Sequence, residues 1–260
     1  CIKNGISREA AESIYDTMID FAKYAFNKSH AACYAVVGYQ TAWLKYYYPA
    51  EFMAAIMTSV IDNSPKLAEY LFYIKQLGMD LLPPDINAGG NGFTVEGNSI
   101  HYALNAVRGV GDNIVAVIVN EREKHGPYKN LQDFITRLSD EKINKKVIEN
   151  LIKAGAFDCF GNKRKEMAFI YPRIIDSVNA ERKNAMSGQM SLMDFFGEEE
   201  KKNFEVKIPK DIGEYPKEEL LAYEKDILGI YISGHPLEAY SGLWKKVISN
   251  TTTDLYLEEE

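Results

Sequence analysis

Leu104-Asn105-Ala106-Val107-Arg108-Gly109-Val110-Gly111, running into Asp112–Glu123, sets the fold expected of this chain. In Asp112–Glu123 the apolar residues Ile114, Val115, Ile118 and Val119 fall on one face, the period of an amphipathic helix. Two glycines around one valine stand just before it. Glycine adopts positive φ readily and carries no side chain, so the N–H groups that open the next helix are left accessible to an anion. Two short helices joined by a tight turn are expected, with Arg108, Gly109, Val110 and Gly111 facing a phosphate.

This is the pattern of a helix-hairpin-helix motif, whose backbone contacts to phosphate ignore base sequence and weaken with salt. A second candidate follows at Val147–Ile152, Ala154-Gly155-Ala156 and, after a short loop, Lys163–Tyr171. Around it lie Lys145, Lys146, Lys153, Lys163, Arg164 and Lys165, with Gly155 at the turn. Both glycine turns can also be read as ordinary helix C-caps. Charge favours the DNA reading. The chain of 260 residues is net −7, yet residues 101–185 carry 15 basic and 11 acidic side chains, a local excess of +4.

Working outward, residues 7–26 read as an amphipathic helix capped by Ser7, and a more apolar helix runs from about His30 to Tyr47. Pro49 suits the first turn of a third helix, and Ser64-Pro65 opens a fourth that Gly78 closes. Leu81–Asp85 must be extended because each proline restricts the residue before it. Phe93-Thr94-Val95 and Ile100-His101-Tyr102, joined through Gly97-Asn98, form a short hairpin. Lys217–Leu228 is a helix ended by Gly229, followed by a β-like Ile230-Tyr231-Ile232. The fold class expected is mainly α: a helical region, a tandem helix-hairpin-helix module and a small β hairpin.

Two further sites merit naming. Lys28, Ser29 and His30 open a helix whose N-terminus favours anions, which would suit an incoming triphosphate; a capped helix with a solvated lysine is the plainer reading. Gln189-Met190-Ser191-Leu192-Met193-Asp194-Phe195-Phe196 is an apolar island in a polar, acidic linker. It is either a linear motif that fills a partner's pocket or an anchor that folds back on its own domain.

Composition excludes several classes. No apolar run approaches the ~18 residues a membrane span needs, and no signal peptide opens the chain, which reads as a cytoplasmic segment cut from something longer. Cys1, Cys33 and Cys159 lie far apart without ligand spacing, so neither a zinc site nor a disulfide framework is expected. The acidic side chains show no compact grouping of the kind that holds two catalytic metal ions.

Taken together, Phe21–Ala31, Tyr39–Lys45, Tyr48–Ala55, Leu82–Asn87, the Gly109-Val110-Gly111 turn, Leu151–Asp158 and Leu228–Leu237 resemble, in the same order, the alpha subunits of bacterial DNA polymerase III, the C-family replicative polymerases. The resemblance covers nearly the whole chain. It implies that residues 1–100 belong to the fingers, with Lys28, Ser29 and His30 facing an incoming dNTP. Residues 101–185 would hold primer-template duplex, 186–213 would carry the sliding-clamp motif, and 214–260 would lead toward a C-terminal OB-fold domain outside this chain. Gln189, Met190, Ser191, Leu192, Met193 and either Phe195 or Phe196 would fill the clamp pocket. Met190 and Met193 depart from the leucine and phenylalanine that this motif prefers. In the family the catalytic aspartates lie in the palm, upstream of Cys1. The chain is thus expected to bear no catalytic or metal-ligating residue and no cofactor of its own, with Mg2+ and other replisome subunits implied for the parent enzyme. An error-prone C-family paralogue, a free-standing helix-hairpin-helix repair protein and a clamp-binding adaptor are the alternatives.

Overall fold

The computed structural model describes residues 2–24, 28–141, 143–186 and 212–249, and the chain divides into two compact units, Cys1–Phe52 and Met53–Glu260. In the first, α1 (Arg8–Tyr24) begins as expected, with Ser7 Oγ accepting from the Ala10 N–H at 3.2 Å. Helix α2 (Lys28–Tyr47) starts two residues earlier than the sequence reading placed it. Ser29 therefore sits inside the first turn rather than capping it. Helix α3 (Pro49–Ser59) opens on proline, whose missing N–H costs nothing at that position.

The second unit continues with α4 (Ser64–Gln76), capped by Asn63 and closed at Gly78, which takes φ +72°. The hairpin forms, with β2 (Thr94–Glu96) antiparallel to β3 (Ser99–His101), but it is not alone. The extended segment expected near Leu81 supplies β1 (Asp80–Leu82), which pairs in parallel with β3, Leu81 opposite Ile100. The expected hairpin is thus part of a three-stranded sheet of order β1-β3-β2.

Helices α5 (Asp112–His125), α6 (Leu131–Arg137), α7 (Lys145–Ala154) and α8 (Arg164–Met186) follow. Their apolar faces enclose a core in which Phe134 sits edge-on to both Tyr128 and Phe157, with Leu104, Ile118, Leu131, Leu151 and Met167 fully buried. The stretch between β1 and β2 is wired into this helical part. Arg122 donates to the carbonyls of Ile86 and Gly89, both at 2.9 Å. The Asn87 side chain bonds both the N–H and the C=O of Tyr128. The boundary expected near residue 100 therefore does not separate two packed bodies.

Helix α9 (Lys217–Leu228) packs against α7 and buries Leu221, Glu224, Ile227 and Leu228. It ends at Gly229, φ +75°, as the sequence predicts. Ile230–Ile232, expected to be β-like, forms no strand. The N–H groups of Ile232 and Ser233 instead donate to the Glu224 carboxylate at 2.9 and 3.0 Å. A short α10 (Ser241–Val247) closes the described chain, and no described helix is long and apolar enough to cross a membrane.

Candidate nucleic-acid interface

The first glycine turn has the geometry that an anion site requires. A 3-10 turn at Leu104–Ala106 precedes it in place of a full helix, and Val107 and Val110 are buried beneath it. Gly109 takes φ +80°, while Gly111 is extended and stands at the N-cap of α5. The Gly111 carbonyl accepts from the N–H groups of Ile114 and Val115. The N–H groups of Asp112 and Asn113 precede the first intrahelical bond and point out of the helix end. A hollow of about 400 Å³ opens beside the turn, lined by Asp62, Asn105, Arg108, Gly109 and Gly111 among others. The Asp112 carboxylate accepts from Asn105 Nδ2 at 3.0 Å.

The turn is held from outside. The N–H of Arg108 donates to the Ile227 carbonyl at 3.1 Å, and its guanidinium pairs with Asp226 at 2.7 Å in the open. The Tyr102 hydroxyl donates to the Leu228 carbonyl at 2.7 Å, and burial pushes its pKa up to about 12. The Arg108 carbonyl accepts from Asn150 Nδ2 at 2.6 Å. The C-terminal end of α9 and the middle of α7 therefore both brace the loop before α5.

The second glycine turn is built for another purpose. Gly155, φ +86°, closes α7 as a C-cap: its own N–H donates to the Ile152 carbonyl and that of Ala156 to the Leu151 carbonyl. A Cβ at Gly155 would lie 2.3 Å from the Arg164 guanidinium, so the glycine makes room for that arginine. Arg164 itself is buried. It donates to Asp158, to Glu224 and to the Lys153 carbonyl, and it is not placed to meet a phosphate. Burial works against its charge, but the bonds and charges of Asp158 and Glu224 outweigh burial and hold its pKa above the ordinary value.

The first turn of α8 is occupied as well. The N–H groups of Arg164 and Lys165 donate to the Glu214 carboxylate at 2.9 and 3.0 Å, and that of Lys163 to Glu166 at 3.2 Å. The expectation that Gly155 and Arg164 face a phosphate is corrected by this geometry. Lys153 pairs with Glu149 at 2.6 Å and lies over the Tyr223 ring. Lys145 and Lys146 have carboxylate partners in Asp176 and Glu149. Lys163 is exposed, and the Lys165 ammonium lies 5.7 Å from the Tyr215 ring centre.

Lys28, Ser29 and His30 are exposed in the first turn of α2, with the His30 ring 4.4 Å from that of Tyr34. Gln189, Met190, Ser191, Leu192, Met193, Phe195 and Phe196 lie outside the described residues. The residues that sequence reasoning missed are Asn150, Glu214 and Glu224. Asn150 left a signal: it is polar on the α7 face that carries Val147 and Ala154, three and four positions away. Glu214 and Glu224 left none, since their bonds to Arg164 and Lys165 span 49 to 60 positions.

The Gly-Val-Gly turn between a 3-10 turn and α5, beside a small sheet, is the feature of a helix-hairpin-helix module, and the family model described as the helix-hairpin-helix motif matches residues 78–167. That match takes in the sheet as well as both glycine turns. The chain is 42% identical over 246 residues to the DNA polymerase III subunit alpha of Mycobacterium tuberculosis, 92% of this chain and 20% of the relative. It is 41% identical over 254 residues to that of Deinococcus radiodurans (97% and 19%), and 39% identical over 266 to that of Borreliella burgdorferi (100% and 23%). The chain belongs to the DNA polymerase III alpha family, and it spans about a fifth of the length of these relatives.

Proposed function

We propose that this chain is the part of a replicative DNA polymerase III alpha subunit that grips duplex DNA beside the site of synthesis, and that it does not itself polymerise. The observation that carries this reading is the Gly109–Gly111 turn, which opens the N-terminus of α5 toward a hollow inside the matched helix-hairpin-helix region. Backbone N–H groups there would take a duplex phosphate without regard to base sequence. Arg108, exposed at the same turn, adds a cation that can exchange Asp226 for phosphate. The exposed Lys163 adds a second cation.

The finer assignments rest on the family resemblance. Lys28, Ser29 and His30 would meet the triphosphate of an incoming dNTP. Gln189–Phe196 would tether the chain to the sliding clamp, in the cytoplasm and among other replisome subunits. Among the described residues no three His, Cys, Asp or Glu side chains converge, so none is assigned to the Mg2+ that the parent reaction uses. No step through metal is therefore assigned to this chain.

Fluorescence anisotropy with a labelled duplex tests the grip. The logarithm of affinity should fall linearly with the logarithm of salt concentration. A flat salt response, or no binding at low salt, would overturn it.

A further inference from the structure

We infer that Asn150 is a positioning residue for the Gly109–Gly111 turn, a role that rests on the duplex-gripping reading above. Asn150 lies on α7, 42 positions from the turn, and is buried to 3% exposure. Its Nδ2 donates to the Arg108 carbonyl at 2.6 Å, and the same atom lies 3.2 Å from where a Cβ on Gly109 would stand. The orientation of the amide follows from chemistry: turned the other way, two oxygens would face each other. Arg108 is then held at both ends of its backbone, its carbonyl by Asn150 and its N–H by Ile227. The peptide plane entering Gly109 has little freedom left, and Gly109 converts that fixed plane into a φ of +80°. The direction of the N–H groups that follow is set before any ligand arrives, which lowers the ordering cost of binding.

Stability alone does not explain an asparagine here. Asn150 Oδ1 is buried and accepts no hydrogen bond from any described residue. A leucine, of the same branched shape but greater bulk, would remove that unbonded acceptor and suit the apolar face of α7, partly offsetting the lost bond to Arg108. The asparagine therefore serves the turn more than the core.

The test is a double-mutant cycle of Asn150→Leu and Gly109→Ala, read as duplex affinity by anisotropy beside urea midpoints and the glycine amide NMR signals. Asn150→Leu should weaken duplex binding about three- to tenfold, the worth of one ordinary hydrogen bond. The urea midpoint should move little, and the Gly109 and Gly111 amide signals should shift. The salt slope should stay unchanged, because backbone donors rather than cations are displaced. The double variant should bind no more weakly than the weaker single one. Full additivity, or unchanged affinity in Asn150→Leu while Gly109→Ala binds weakly, would overturn the positioning role and leave the grip intact. Unchanged affinity in Gly109→Ala would overturn the grip itself and the role with it. Should Asn150→Leu not fold, Asn150→Ala removes the amide without adding bulk and is judged by the same outcomes.

Discussion

Arg164 and Glu224, sixty positions apart in the chain, share a buried ion pair at 3.2 Å. Glu224 is 1% exposed, and its other oxygen accepts the N–H groups of Ile232 and Ser233. One carboxylate thus ties α8, α9 and the segment after Gly229 into one body.

Glu224→Gln keeps the shape of that side chain and removes its charge. Breaking a buried pair from one side costs about 3–5 kcal/mol, because the surviving charge stays buried with less compensation. Asp158 still faces Arg164, so the lower end of that range is expected. Urea denaturation followed by circular dichroism measures it.

Gly155→Ala forces an alanine into the left-handed region and drives its Cβ onto the Arg164 guanidinium. The backbone strain alone costs about 1–2 kcal/mol, and the displaced arginine adds to it. Thermal melting should show the loss. Duplex affinity per folded molecule should be unchanged, because the Gly155 and Ala156 N–H groups are already bonded to the Ile152 and Leu151 carbonyls.

At the first turn the signs separate by charge. Arg108→Ala should weaken duplex binding and reduce the salt slope by about one. Asp226→Asn removes the carboxylate that holds Arg108 at 2.7 Å and should tighten binding. An exposed pair of this kind is worth about 0–1 kcal/mol, so neither change should move the urea midpoint far. Anisotropy titrations at several salt concentrations check both.

The Lys153 ammonium, bonded to Glu149 at 2.6 Å, holds that carboxyl below its usual value of 4.5. The folded state therefore favours the charged form. That contribution is fully present above pH 4.5 and is lost as pH falls through the lower folded-state pKa. The melting temperatures of the unsubstituted chain and of Glu149→Gln should differ at pH 6 and converge as pH falls toward 3.

Gln189→Ala and Leu192→Ala should each abolish binding to a bacterial sliding clamp in surface plasmon resonance. Duplex affinity should be untouched. Retained clamp binding in both variants would make the island an anchor on its own domain.

Much of the helical framework was legible in the sequence. Ser7, Pro49 and Gly229 mark helix ends through bonds and dihedrals that reach only a few residues, so composition and spacing suffice to place them. The Gly109-Val110-Gly111 turn was legible for the same reason, because its positive φ is a local demand met by glycine. A serine near a helix start is a natural cap, yet Ser29 lies inside α2, which begins one residue before it. The parallel strand β1 escaped notice because its partner β3 lies 19 positions further on and nothing local announces it.

Local residue choice accounts for most helix ends and for the glycine turn before α5, and the ordered motifs suffice to show which family the chain resembles. Only the tertiary structure decided what the second turn does. Gly155 and Arg164 look alike in sequence whether they face a phosphate or each other. A charged side chain takes its role from whatever packing brings within about 3 Å, and here packing brings the Asp158 and Glu224 carboxylates to the Arg164 guanidinium. The same long-range packing sets Asn150 against the Arg108 carbonyl, 42 positions away: local spacing marks the asparagine as odd on its face, and only packing names its partner.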